Sequence, residues 1–561
     1  MAQGDDAAEV DVLVIGAGAA GMTAALVCAL QGLDVLLCEK SAQVGGTSAT
    51  SAGTIWVPGT RQAREAGSTD TIADARRYLD AVIGPATDNR REVYLETGKD
   101  VVEYLERNSE VKFSAYAKHP DYLANRPGST NAGRPLAPLP FDGRLLGKDF
   151  ALLRPPIGEF MALGGMMIGR DDIEPLTRPF SSLPAFRRAM SLLWRHATDR
   201  LRYRRGTRLL MGNALVGRLF YSLRRNKVPV WLNAPLQELT KDGGRVTGAV
   251  LSGDGGPRRV KARRGVILAT GGFGGSVARM NDYVKPPLAD AVAFAGAEGD
   301  GIRIGRASGA AMEDDHASPM FWSPVSRTPW LDGGRGAYPH ILLDRAKPGL
   351  ITVNAAGRRF VDEALSYHEF VNGMHRSHET VPTIPAWLVC DGDFIRNYGL
   401  GRIAPGWSFG WAVANKYLVK GDTLDDLAAK IGVDAAGLRE SVARNNRFAD
   451  KGEDEDFGKG STEFDRNNGD PRHGPNPCLG RIGLPPYYAM AVYPSTLGSS
   501  VGLKSDADGR VLDANGAPIV GLFACGNDMA SIMRGNYPGP GITIGPGMVF
   551  AYRAAMAIKA G

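Results

Sequence analysis

Gly16, Gly18 and Gly21 stand at the spacing GxGxxG, between the branched run Val12–Ile15 and the small-residue run that begins at Ala19. Glycines so spaced let a chain turn tightly, bring its backbone against a diphosphate, and pack a helix closely on a strand. The N–H groups of Ala19 and Ala20 would then meet the anion at the positive end of that helix. Glu39, eighteen positions past Gly21, can accept from ribose hydroxyls, and Lys40 follows it. Further small-residue segments have the same character: Gly45-Gly46-Thr47-Ser48, then Ala269-Thr270-Gly271, then Gly526-Asn527 and Gly541-Ile542-Thr543-Ile544 near the C-terminus. A helix starting at that last segment would aim its N–H groups at a ring system that becomes anionic on reduction. A nucleotide site finished by both ends of the chain is expected to hold FAD, permanently and without a covalent link.

These residues need strands and helices to hold them. Glu9–Ile15 predicts a buried strand, Ala19–Leu30 a helix and 34–39 a second strand, together a βαβ unit. From about 61 to 226 the pattern is mostly helical, broken by a Pro- and Gly-rich loop over 117–140. Strands are expected at Val228–Leu232, Arg245–Leu251 and 260–269, with a Gly-rich turn at 254–257. The composition then shifts to longer loops and aromatics, and the last stretch returns to short strands and glycines. The expected organisation is an FAD-binding domain over 1–325 with a helical insertion at about 150–227, a catalytic substrate domain over 326–497, and the end of the FAD-binding domain over 498–561. A chain of 561 residues is too long for one compact core, which agrees with that division.

The five cysteines make no CxxC or CxxCH pair, which argues against a zinc ribbon, an iron–sulfur cluster or c-type haem, and predicts reduced thiols. His368, His375 and His378 share one segment, but no acidic partner is placed with them, so no metal is expected. The N-terminal MAQGDDAAEV has neither a basic nor an apolar leader, and a cytoplasmic protein is expected. Between Arg187 and Lys227 twelve Arg or Lys face a single acid, Asp199, with leucines and aromatics between them. The pattern predicts basic amphipathic helices, either packed on the next domain or making peripheral contact with an anionic membrane. No nucleic-acid motif accompanies them, so no nucleic-acid partner is expected.

Taken with Pro348–Glu363 (PGLITVNAAGRRFVDE) and Asn536–Gly541 (NYPGPG), these motifs resemble the fumarate reductase/3-ketosteroid dehydrogenase flavoprotein superfamily, and within it the 3-ketosteroid Δ1-dehydrogenases. The resemblance spans nearly the whole chain. It implies an α/β fold: a Rossmann-like, doubly wound FAD-binding domain of the GR2 type with an inserted α+β catalytic domain. It implies dehydrogenation of a 3-ketosteroid between C1 and C2, with electrons passed on to a quinone or another acceptor. By the same resemblance Tyr537 and Gly541 hold the ketone oxygen, Tyr367 is the base that takes the C2 proton, and Tyr122 assists it. The family usually continues the Tyr122 loop with an aromatic or His and then Pro-Glu; here the sequence is Leu-Ala-Asn. Pro538 and Pro540 lack N–H groups, which leaves few donors to compete with that of Gly541. Tyr367 needs an electropositive setting to act as tyrosinate. Two rivals share the fold: a fumarate reductase, which would need arginine and histidine to clamp a dicarboxylate, and a 3-ketosteroid Δ4-(5α)-dehydrogenase, which would lack YPGPG. A flavin-binding redox sensor without turnover is a third.

Overall fold

The computed structural model describes residues 8–253, 256–288, 291–329, 335–341 and 344–561. The expected turn at 254–257 lies partly outside them. The first strand, β1 (Ala8–Ile15), is apolar and buried over its last four residues, and the tight turn after it leads into α1 (Ala19–Leu30), as the sequence predicts. β2 (Val35–Cys38) completes the βαβ unit.

The strands that follow are β3 (Val230–Trp231), β4 (Leu236–Asp242), β5 (Arg245–Leu251) and β6 (Arg258–Leu268); later come β7 (Met320–Pro329), β8 (Arg335–Pro339), β9 (Leu350–Val353), β10 (Ala386–Asp391), β11 (Val419–Gly421), β12 (Tyr487–Ser499), β13 (Arg510–Leu512) and β14 (Pro518–Ala524). The helices used below are α2 (Leu183–Arg200), α3 (Met211–Arg225), α4 (Tyr367–His378) and α5 (Ile544–Ala560).

One eight-stranded sheet runs β3-β2-β1-β6-β5-β4, with β14 joined to β6 and β13 to β14. Its centre is parallel, and the register sets Ile15 opposite both Cys38 and Leu268, with Leu268 opposite Ala524. Four strands therefore end on one edge, and the segments after residues 15, 38, 268 and 524 leave it together. Open parallel sheets bind ligands at this carboxyl edge. A second, six-stranded sheet runs β8-β7-β12-β10-β9, with β11 also paired to β12. All its pairings are antiparallel. α4 packs on it through Phe370, Val371 and Met374, and its first residue is Tyr367.

The basic stretch over 187–227 divides in two. α3 is buried along nearly all its length and packs on α1. Its Arg218 donates to the carbonyls of Leu139, Glu110 and Pro140, while Arg224 and Arg225 pair with Asp149 and Glu110. Of the two placements expected for these helices, packing against neighbouring elements holds for α3. α3 is a wedge between core layers, and the exposed part is α2 with its flanks.

Candidate active site

A single cavity follows the carboxyl edge of the first sheet and continues under the second. At one end lie Gly16, Gly18, Ala19, Ala20, Glu39 and Lys40; Gly46, Thr47, Ser48, Ala269, Thr270 and Gly271 come next; Gly526, Asn527, Thr543 and Ile544 line it further on; Tyr122, Tyr367, Tyr537 and Gly541 close it. Gly21 and Gly45 do not reach it. Gly21 faces the turn instead, where a Cβ would sit 1.9 Å from the Gly16 carbonyl oxygen, and Gly45 braces the loop by donating to the Ala17 carbonyl.

The nucleotide end is built from backbone. Gly16 has φ +107°, and a Cβ there would lie 2.2 Å from the Ala269 carbonyl oxygen, so only glycine brings the two loops this close. The N-cap of α1, Gly18, offers no side chain to the first N–H groups of the helix. Ala19 N–H donates to Ser48 Oγ at 3.1 Å. Glu39 Oε2 accepts from Ala17 N–H at 2.9 Å and Oε1 from Ser41 N–H at 3.0 Å, which fixes the carboxylate at the strand end. Each oxygen keeps a lone pair for a hydroxyl. Lys40 pairs with Glu298 and Asp300, at 2.6 and 2.8 Å, and so ties the loop after β2 to the segment at 298–300. At the far end α5 also starts without a side-chain cap, at Thr543 on the cavity wall. Two uncapped helix starts and a fixed carboxylate on one glycine-lined cavity fit a dinucleotide.

Asp528 was not legible from the sequence as part of this frame. It is buried and accepts from Thr270 N–H, Thr270 Oγ1 and Gly272 N–H, at 2.5, 2.9 and 2.9 Å. It thereby ties the loop after β6 to the one after β14.

The other end holds three phenols in mutual contact. Tyr122 Oη donates to Tyr367 Oη at 3.1 Å. The Tyr537 ring stands edge-on to Tyr367, with centroids 5.1 Å apart, and stacks on Tyr122 at 5.7 Å. Tyr122, drawn from the loop that departs from the family pattern, is thus brought together with the other two. All three are buried, and burial pushes each phenol up, Tyr367 well above its ordinary value and Tyr537 to about 12. After burial, the strongest influences on Tyr367 are the two neighbouring phenols; the expected electropositive side chains are not among them. His368 stays neutral, since burial drives its pKa down to about 3. Tyr367 opens α4, at the end of that helix where the dipole is positive.

Gly541 has φ +91°, and a Cβ on it would meet the Thr54 carbonyl oxygen at 2.4 Å. Its carbonyl accepts from Trp56 and Gly545, while its N–H has no acceptor among the described residues. The Pro538 carbonyl three residues earlier accepts from Tyr78 Oη at 2.7 Å and from Tyr122 N–H at 2.9 Å. Below it Arg134 is wholly buried between Asp121 and Asp70, at 2.7 and 2.6 Å, and Asp121 also accepts from Trp56 Nε1 at 2.9 Å. Tyr78, Asp121 and Arg134 thus position the loop that carries Tyr122. Nothing in their spacing marks them, because each meets partners distant along the chain.

Among the described residues the one grouping close enough to share a metal ion is Glu313, Asp315 and His316. Glu313 is already paired with Arg90 and Asp315 with Arg534, both at 2.7 Å.

Residues 11–544 match the family model described as an FAD binding domain. The chain is 39% identical over 552 residues to the 4-oxocyclohex-2-ene-1-carboxylate 5-dehydrogenase of Sinomonas cyclohexanicum, covering 97% of this chain and 92% of the relative. It is 36% identical over 572 residues to the 3-oxosteroid 1-dehydrogenase of Mycobacterium tuberculosis, covering 98% of each. Its fold superposes with TM-score 0.91, at 38% identity and over 98% and 99% of the two chains, on the 3-ketosteroid Δ1-dehydrogenase of Sterolibacterium denitrificans, solved in complex with 1,4-androstadiene-3,17-dione. With FAD as its cofactor, this chain belongs to the flavin-dependent oxidoreductase family of the 3-oxosteroid 1-dehydrogenases.

Proposed function

We propose that the enzyme removes the C1 and C2 hydrogens of a 3-ketosteroid, leaving a double bond conjugated with the ketone. The observation that carries this reading is the unclaimed Gly541 N–H beside three touching phenols. The ketone oxygen accepts from Tyr537 Oη and from Gly541 N–H. Donors placed where negative charge develops contribute typically about 3 kcal/mol each. Polarised in this way, the ketone makes its C2–H acidic. Tyr367 takes the C2 proton on its phenolate oxygen, and Tyr122 Oη supports that phenolate by donating to it. Non-covalently held FAD supplies the acceptor for the hydride leaving C1. FAD would be held in this reading by Gly16, Gly18, Ala19 and Ala20, by Glu39, Lys40, Gly46, Thr47 and Ser48, by Ala269, Thr270 and Gly271, and by Gly526, Asn527, Gly541, Thr543 and Ile544, with Gly21 and Gly45 bracing the turns behind them. The chain divides into a nucleotide part, 1–325 with 498–561, and a catalytic part, 326–497. The electrons then pass to a quinone or another acceptor, and peripheral contact with a membrane belongs to the same reading, since apolar substrate and quinone both dissolve there.

A second substrate class, the oxocyclohexanecarboxylates, has support from the relative that is 39% identical. Such a substrate carries an anion. The cavity is also lined by Ile157, Phe160, Pro339, Ile341 and Leu497, and its one lysine or arginine among the described residues, Lys40, is already paired with Glu298 and Asp300. Burying a carboxylate without a cation is costly, which favours the neutral steroid. The test is anaerobic titration of the flavin absorbance. A 4-ene-3-ketosteroid should bleach it and yield the cross-conjugated dienone, while 4-oxocyclohexanecarboxylate should not. Bleaching by the acid alone would overturn the steroid reading.

A further inference from the structure

Helix α2 is apolar on two faces. Its inner face, Ala185, Ala189, Leu192, His196 and Asp199, is buried and satisfied: His196 Nε2 meets the Leu163 carbonyl at 2.9 Å, and Asp199 holds Thr207 and Arg144. The outer face should then be polar. It is not. Leu183, Phe186, Met190, Trp194 and Leu201 are all exposed, and at 100° per residue they fall within an arc of about 80°. Phe180 stacks on Phe186 at 5.8 Å and extends the stripe. Exposure reaches 87% at Phe180, 74% at Trp194 and 84% at Leu201.

Arginines rim the stripe. Arg178, Arg187, Arg200, Arg202 and Arg204 are exposed and have no acidic partner among the described residues. The exposed acids nearby are Asp171 and Glu174. An apolar ridge with tryptophan and phenylalanine at its crest and unpaired arginines at its sides is the composition of a surface that lies in an anionic bilayer interface. A second copy of this chain fits it less well, because a two-fold contact would set these arginines against their own copies.

The ridge is also joined to the substrate end of the cavity. Phe160 lines the cavity and leads into a hairpin, Met161–Ala162 with Met166–Met167, whose turn residue Leu163 is the partner of His196 on α2. We propose that this ridge docks the enzyme on anionic membrane surfaces, with the side chains at 180, 194 and 201 inserted among the lipids and the arginines on the headgroups. The docked face is then the one beside the Phe160 wall, where a bilayer-dissolved substrate would arrive. Docking itself is independent of which ketone is oxidised, since it is read without substrate.

The test is co-sedimentation of the full-length holoprotein with vesicles of phosphatidylcholine containing phosphatidylglycerol and with vesicles of phosphatidylcholine alone. Binding is expected on the anionic vesicles, weakening as salt is raised. The R187E/R200E variant should lose about fivefold or more per arginine on anionic vesicles. F180S/W194S/L201S should lose binding by at least about tenfold while keeping its flavin spectrum and its turnover of dissolved steroid. Wild-type protein left in the supernatant with both vesicle types would overturn the proposal, as would undiminished binding by the triple serine variant. Self-association that the triple variant abolishes, with no vesicle binding by the wild type, would give the ridge to a second copy instead.

Discussion

In the proposed reaction Tyr367 is the base, and the protein keeps it protonated at rest. Burial above all holds its pKa well above the ordinary value, so the phenolate is the minor form at neutral pH. The sign follows directly. The reactive fraction grows as pH rises, and kcat/KM should climb roughly tenfold per pH unit on the alkaline side of neutrality, until another group or the fold gives way. A flat profile between neutral and alkaline pH, recorded with reduction of the flavin as the observed step, would remove Tyr367 as the titrating base. Replacing it with phenylalanine takes away one hydroxyl and leaves the ring contacts with Tyr122 and Tyr537. Tyr367→Phe should therefore bind FAD with an unchanged visible spectrum and lose turnover by a factor of about 100 to 10,000, read by stopped-flow flavin reduction. These residues could be singled out in the sequence only through a family pattern, since seventeen tyrosines share one chemistry.

At the scale of elements the prediction concerns the loop that carries Tyr122. Arg134 sits between Asp70 and Asp121, all three out of water, and Asp121 precedes Tyr122 in the chain. Removing one partner of a buried ion pair leaves the others uncompensated, at about 3–5 kcal/mol. Arg134→Met should lower stability by that amount in denaturant unfolding and reduce turnover as Tyr122 loses its place. A variant that unfolds at the wild-type denaturant concentration would mean that the pair carries no net stability. The sequence located α1 at its observed bounds and the strands on either side of it, because the period of apolar residues and the glycine turn are local signals. It did not foresee that the basic stretch would split into a buried α3 and an exposed α2. Both carry arginines and leucines, and which face meets the core depends on what the rest of the chain packs there.

Across the whole molecule the nucleotide site joins the start and the end of the chain. α1 packs on α5, and the loops after β1, β2, β6 and β14 leave one edge together. Anything that binds this assembled edge and not the unfolded chain stabilises the whole, by about 4 kcal/mol when free cofactor stands at a thousand times its Kd. Stripping FAD should therefore lower the thermal midpoint, and adding it back should restore the value. An apoprotein that melts with the holoprotein would show that the edge is formed without its ligand. Among the described residues no helix is long and apolar enough to cross a membrane.

The order of residues alone pointed to the nucleotide motifs, because GxGxxG, Glu39 and the small-residue segments are each legible within a few residues; that they meet on one edge was decided by the fold. Only the tertiary structure decided that Tyr122, Tyr367 and Tyr537 touch, since 245 positions separate the first two and their meeting depends on how two sheets are set against each other. The same holds for the phenol pKa shifts. They come from burial, a property of the surroundings and not of the residue.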